Sequence, residues 1–175
     1  MLHIKEYPKG ENAMRYQINQ KILSFGDNFT IKDEYGSDQF YVKGKVFALG
    51  DKLTIYDVNG VERVYIEQKL LKLMPEYSVY LNGQYAAKVK KEFTFFRPRF
   101  HIESTFGQYS IEGDFFGYDF RILKQGRVVA SVSKKFFSFR DSYGVEIVDD
   151  ENQALILAFV IIIDQVIHDN NHNDN

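Results

Sequence analysis

A chain of 175 residues is one domain of ordinary size, long enough to bury a sizeable core. Hydrophobic residues make up 45 % and charged residues 26 %, which excludes a disordered chain, and a formal net charge of −2 excludes a global drive toward nucleic acid or anionic membranes. Cysteine is absent, so disulfides, thiolate chemistry and cysteine-ligated metals are excluded, and a reducing compartment is expected.

The chain opens on Met1-Leu2-His3-Ile4-Lys5-Glu6-Tyr7-Pro8, with no basic region followed by an apolar run, so no secretory leader is expected. Aromatic content is 16 %, and together with abundant Val, Ile and Thr it points to β structure. Residues 22–36 and 46–60 then repeat one another at an offset of 24, with Gly26/Gly50, Asp27/Asp51, Thr30/Thr54, Ile31/Ile55, Asp33/Asp57 and Gly36/Gly60 in matching places. A second pair, residues 84–103 and 127–146, repeats at an offset of 43 through Ala87/Ala130, Val89/Val132, Lys91/Lys134, Phe93/Phe136, Phe96/Phe139 and Arg97/Arg140. An offset near twice the first suggests two copies of one hairpin unit.

Turn signals keep the same rhythm. They fall at Gly10-Glu11-Asn12, Tyr35-Gly36, Asn59-Gly60, Asn82-Gly83, Phe106-Gly107, Gln125-Gly126 and residues 149–152. Asn-Gly is a strong hairpin signal because both central residues of a type I′ turn need positive φ. Between the turns lie alternating runs such as Leu53-Thr54-Ile55-Tyr56-Asp57 and Val64-Tyr65-Ile66-Glu67, broken at Gly26, Gly50, Pro75 and Pro98. Two strands per interval give about twelve antiparallel strands. Closing them into a barrel leaves no sheet edge, but a barrel so wide cannot fill itself with strand side chains.

The filler is supplied by residues 154–163, Ala-Leu-Ile-Leu-Ala-Phe-Val-Ile-Ile-Ile, ten consecutive apolar positions. Crossing a bilayer takes ~20 such residues, so this run reads as a buried helix. A helix over 152–168 is about 25 Å long at 1.5 Å per residue, the span of a seven- or eight-residue strand. Asn152 is its expected cap, with Asp149, Asp150 and Glu151 at the favourable end of the dipole. Val160-Ile161-Ile162-Ile163 has strand propensity, but propensity yields to burial. The fold class expected is therefore mainly β: a closed antiparallel barrel of about twelve strands enclosing a hydrophobic C-terminal helix. Residues 1–168 form its single domain, and the polar stretch 169–175 reads as a disordered tail.

No catalytic constellation, cofactor motif or metal spacing stands out. His3, His101, His168 and His172 are scattered, and His101 alternates outward on its strand. Asp164 and His168, four apart, share a helix face; they read as structural, with Asp164 pairing to a strand cation or water. The basic residues carry more information. Lys88 and Lys90 lie on one strand face, while Arg97, Arg99, Lys134, Lys135 and Arg140 fall near corresponding ends of the repeated units. Lys88, Lys90, Arg97, Arg99, Lys134 and Arg140 are the candidate ligand-binding set. With Phe95, Phe96, Phe137 and Phe139 nearby, a cluster of them at one rim suits an anionic lipid headgroup, gripped by charge-assisted hydrogen bonds.

Val42-Lys43-Gly44-Lys45, Gln68-Lys69, Val89-Lys90-Lys91 with Phe93 and Phe96, Ser133-Lys134-Lys135, Asp141-Ser142-Tyr143-Gly144-Val145 and the apolar run with Asp164 and His168 together resemble the LURP-one-related family, from about Met14 to His168. The resemblance implies the barrel and central helix shared by that group, the tubby C-terminal domain and the phospholipid scramblases. It implies no enzymatic activity, and no headgroup-binding residue of the tubby proteins has a positional match here. The reading is a non-enzymatic cytoplasmic binding or scaffold protein, peripheral at membranes, for anionic phospholipid headgroups. The alternative is a protein-interaction module in stress or signalling with no lipid ligand. Nucleic acid, a cofactor and a transmembrane segment are not expected.

Overall fold

A computed structural model describes residues 12–19, 28–45, 50–136 and 142–172. Twelve strands follow one another along the described residues: β1 (Ala13–Asn19), β2 (Phe29–Asp33), β3 (Asp38–Lys45), β4 (Lys52–Asp57), β5 (Glu62–Gln68), β6 (Glu76–Leu81), β7 (Gln84–Glu92), β8 (Arg99–Ser104), β9 (Tyr109–Asp114), β10 (Asp119–Lys124), β11 (Arg127–Ser133) and β12 (Ser142–Val148). A 3-10 turn, Lys134–Phe136, follows β11, and the helix α1 spans Gln153–His172. Each strand pairs antiparallel with its neighbour in sequence, and β1 pairs with both β2 and β12, which closes the barrel. Closure satisfies the backbone of the first and last strands and removes the exposed edge.

The repeats in the sequence are repeats of backbone geometry. Register shifts before the turn at Ile31/Lys32, Ile55/Tyr56, Val79/Tyr80 and Ile122/Leu123. These positions are separated by the same offsets of 24 and 43 that relate the sequence segments. Each bulge re-aims the strand and increases its twist, which helps the sheet curl. The turns that follow hold Gly36, Gly60, Gly83 and Gly126 at φ of 83°, 78°, 80° and 82°. In the first two hairpins an aspartate organises the turn. Asp33 Oδ1 accepts from the backbone N–H groups of Tyr35 and Ser37, and Asp57 Oδ1 accepts from those of Asn59 and Val61, all at 2.9 Å.

The turns at Gly36, Gly60, Gly83, Gly107 and Gly126 all lie at one end of the barrel, together with the connection into α1. The connections broken by Pro75 and Pro98 lie at the other, called here the loop end. Alternation puts every second side chain inward: Leu53, Ile55, Val64, Ile66, Val79 and Ile122 are at most 1 % exposed.

The helix enters from the tight-turn end. Asn152 caps it, its Oδ1 accepting from the Leu155 N–H at 3.0 Å. Lys124 Nζ pairs with Glu151 Oε1 at 3.0 Å and Arg127 Nη1 with Asp150 Oδ2 at 2.9 Å, so the β10–β11 hairpin holds the helix start. Every residue from Ala154 to Ile167 is buried. Phe159 packs edge-on against Tyr109 of β9 with ring centroids 5.3 Å apart. A helix apolar on all sides is stable only when surrounded, and the barrel surrounds it. The sequence placed the helix at 152–168 with a disordered tail after it, whereas the helical backbone continues to His172. Once a helix is nucleated and held, each further residue adds one hydrogen bond for one residue fixed, so polar residues extend it readily.

Candidate functional site

α1 occupies the lumen that a lipocalin-like carrier leaves open, and of the buried polar side chains there Asp164 is engaged, whereas neither side-chain polar atom of Gln165 has a hydrogen-bond partner among the described residues. Asp164 is 3 % exposed. Its Oδ1 accepts from the Tyr118 hydroxyl at 2.6 Å and its Oδ2 from the Tyr143 hydroxyl at 3.2 Å. Tyr118 lies in the β9–β10 connection and holds φ of 50°, a backbone state unusual for an aromatic residue. Burial, then the Asp164 charge, then the Tyr118 phenol push the Tyr143 hydroxyl well above its ordinary pKa. The space bounded by Tyr118, Tyr143, Val160 and Asp164 has no room for a water-sized molecule. Asp164 is thus a buried carboxylate satisfied by phenols, where the sequence had suggested a strand cation or water. Tyr118 and Tyr143 lie far from it along the chain, and no local signal pairs them. The side chain of His168 lies outside the described residues.

Of the six candidate cations, four follow one strip of the molecule. Lys88 and Lys90 project outward from β7, Arg97 sits in the β7–β8 connection, and Arg99 begins β8. Lys88 is engaged: its Nζ lies 2.8 Å from Glu103 Oε2 across the strand pair, which raises the lysine pKa and lowers that of the glutamate. Lys90, Arg97 and Arg99 are exposed, and none forms an ion pair among the described residues. Lys134 is exposed in the 3-10 turn at the same end, its ammonium 4.8 Å from the Tyr118 ring centroid. Arg140, Phe137 and Phe139 lie outside the described residues. His101 points outward as expected, 3.5 Å from Glu103. Lys91 alternates inward at the barrel mouth, across from Phe100, and burial lowers its pKa.

Phe95 and Phe96 stood out in the sequence as neighbours of these cations; the leucines that share this end with them did not. The β5–β6 connection exposes Leu70, Leu71 and Leu73, and the β7–β8 connection exposes Phe93, Phe95 and Phe96. The two connections are neighbours: the Lys91 N–H donates to the Pro75 carbonyl at 2.9 Å, and Glu76 faces Lys90 across β6 and β7. The available signal was the composition of residues 69–75, Lys-Leu-Leu-Lys-Leu-Met-Pro, where apolar residues cluster without strand alternation just before a proline.

A depression of about 420 Å³ lies elsewhere, on the outer wall of β2, β3 and β4, between Thr30, Tyr41 and Tyr56. Among the described residues it offers one cation, Lys43, whose ammonium already rests 5.1 Å from the Tyr56 ring centroid. No group of metal-ligating side chains occurs among the described residues. No described helix is long and apolar enough to cross a membrane.

A family model described as LURP-one-related matches residues 14–164. The uncharacterized protein YxjI of Bacillus subtilis is 36 % identical over 151 residues, covering 86 % of this chain and 92 % of that protein. A protein of Arabidopsis thaliana solved by X-ray crystallography has the same fold, with a TM-score of 0.67 at 20 % identity over 90 % of this chain and 93 % of that one. Family and fold are compatible with a non-enzymatic binding or scaffold role. The match spans the barrel from β1 to the Asp164 turn of the enclosed helix: the chain belongs to the LURP-one-related family.

Proposed function

We propose that the protein is a non-enzymatic, cytoplasmic binding protein that meets anionic phospholipid headgroups with the loop end of its barrel. The observation that carries this reading is the set Lys90, Arg97 and Arg99: exposed cations without an ion-pair partner among the described residues, grouped on β7, β8 and the connection between them. Lys134 adds a cation on the same end. Each cation held near an anionic membrane surface contributes about 1 kcal/mol, so three or four give measurable retention at low salt. The filled lumen supports an external site, and the engagement of Asp164 by two phenols supports a binding role over catalysis. Fold alone does not assign an activity, so the reading rests on these side chains.

Co-sedimentation with vesicles tests it. Vesicles of phosphatidylcholine containing phosphatidylserine or a phosphoinositide are expected to retain the protein at low ionic strength, and neutral phosphatidylcholine vesicles are not. Retention falls as salt is raised, because the charges are exposed and screened. The combined Lys90→Glu, Arg97→Glu and Arg99→Glu substitution is expected to abolish it. Absence of retention on anionic vesicles at low salt sinks the headgroup reading.

A further inference from the structure

Resting on that reading, the apolar side chains of the same end assign a deeper contact. Leu71 and Leu73 are 104 % and 99 % exposed, Phe95 and Phe96 are 84 % and 96 % exposed, and Leu70 and Phe93 flank them. Single exposed apolar residues are ordinary, but six on two adjoining connections at one end of a barrel are not. Nothing in the barrel needs them there, since the core is closed by α1. Leu71 is moreover held at φ of 58°, a left-handed state that a γ-branched residue rarely adopts and that glycine or asparagine would occupy without strain. A strained leucine presented fully to solvent gains nothing in the isolated chain.

The charge around these side chains selects the partner. Residues 69–75 and 93–98 contain Lys69, Lys72 and Arg97 and no acidic residue, in a chain whose net charge is −2. Lys69 and Lys72 pair with Glu67 and Glu76 on the strands, at 3.0 and 3.8 Å, so the first loop adds little free charge of its own, and Leu71 and Leu73 stand fully exposed beside those pairs. Lys90 and Arg99 stand on the strands that flank the second loop, and Arg97 lies within it beside Phe96. Apolar tips above a cationic collar match the layering of an anionic leaflet, with phosphates outermost and acyl chains beneath. A protein partner would be expected to supply acids to the collar and a concave apolar surface to the tips; a bilayer supplies both at once.

We propose that the two connections, residues 69–75 and 93–98, insert into an anionic bilayer, Leu71, Leu73, Phe95 and Phe96 entering the acyl boundary while Lys90, Arg97 and Arg99 rest among the phosphates. The chain has no tryptophan, so one introduced at a tip is a unique reporter. Phe96→Trp is expected to shift its emission to the blue on mixing with phosphatidylserine-containing vesicles and to be quenched by lipids brominated on the acyl chain. Tyr35→Trp, at the tight-turn end, is expected to do neither. Leu71→Asp is expected to weaken vesicle binding about 10- to 100-fold while leaving the melting temperature unchanged, because the side chain is fully exposed. Should Leu71→Asp unfold the protein, the paired tryptophan variants still decide. Vesicle retention with no emission shift at Phe96→Trp and no loss in Leu71→Asp overturns insertion while the headgroup reading stands. No retention of the unaltered protein on anionic vesicles overturns both.

Discussion

Asp164 shows how a buried charge is tolerated directly after a run of ten apolar helical residues. An unpaired carboxylate there would unfold the barrel, and the Tyr118 and Tyr143 hydroxyls replace its hydration. Tyr143→Phe keeps the ring and removes one donor. It is expected to lower stability by about 1–3 kcal/mol, measured by urea unfolding, because a buried acceptor loses a partner. A Tyr143→Phe protein as stable as the unaltered one would show that the carboxylate is held by other groups. The repeated Asp33 and Asp57 act in a different register: each fixes a hairpin turn through two backbone N–H groups, and Asp57 also accepts from Arg63 Nε at 2.9 Å. Those residues were visible as a repeat. The phenols around Asp164 were not, because contacts made to the helix by a distant loop (Tyr118) and a separate strand (Tyr143) leave no periodic trace.

The central helix carries the same lesson at the scale of an element. Its β-branched run opposes helical propensity by a few tenths of a kcal/mol per residue, and each buried Ile or Leu gains ~2 kcal/mol by leaving water, so burial decides. Ile161 is 1 % exposed, in the middle of that element. Ile161→Asp places a charge with no designed partner in the core and is expected to prevent folding, read as loss of near-ultraviolet dichroism and of cooperative melting in a membrane-free preparation. A folded, cooperative Ile161→Asp protein would show that the helix is not the core. The hairpins were legible to the position of their turns, since the Gly residues at positive φ and the register shifts recur at the spacing of the sequence repeat. The connections at the loop end were not legible as a surface. Leu70, Leu71 and Leu73 look like core in composition, and only the closed register of β5 with β6 leaves them outside.

As a whole molecule the protein is a barrel whose first and last strands meet, so buried groups on separate strands fail together. Burial, with nearby Asp149 and Asp33, raises Tyr16 on β1 to about 12. Burial and Glu151 raise Tyr109 on β9, and burial and Asp164 raise Tyr143 on β12. Phenols whose folded pKa exceeds the unfolded value near 10 stabilise the fold fully below that value, and the stability is lost as pH rises from there through the folded values. Cooperative alkaline unfolding is therefore expected to begin above about pH 10, with tyrosinate absorbance and loss of β-sheet dichroism rising together. Tyrosine ionisation that runs to completion before the sheet signal changes would contradict it. Strand number, closure, the filling helix and its Asn152 cap could all be read from the chain, because periodicity, turn chemistry and an apolar run are local properties with a single packing solution once a wide barrel must be filled. Which cations stay unpaired, which phenols satisfy Asp164, and which apolar side chains stand outside the core were decided by tertiary structure alone. Those outcomes depend on register and on which connections adjoin at an end of the barrel, distances that no stretch of sequence contains.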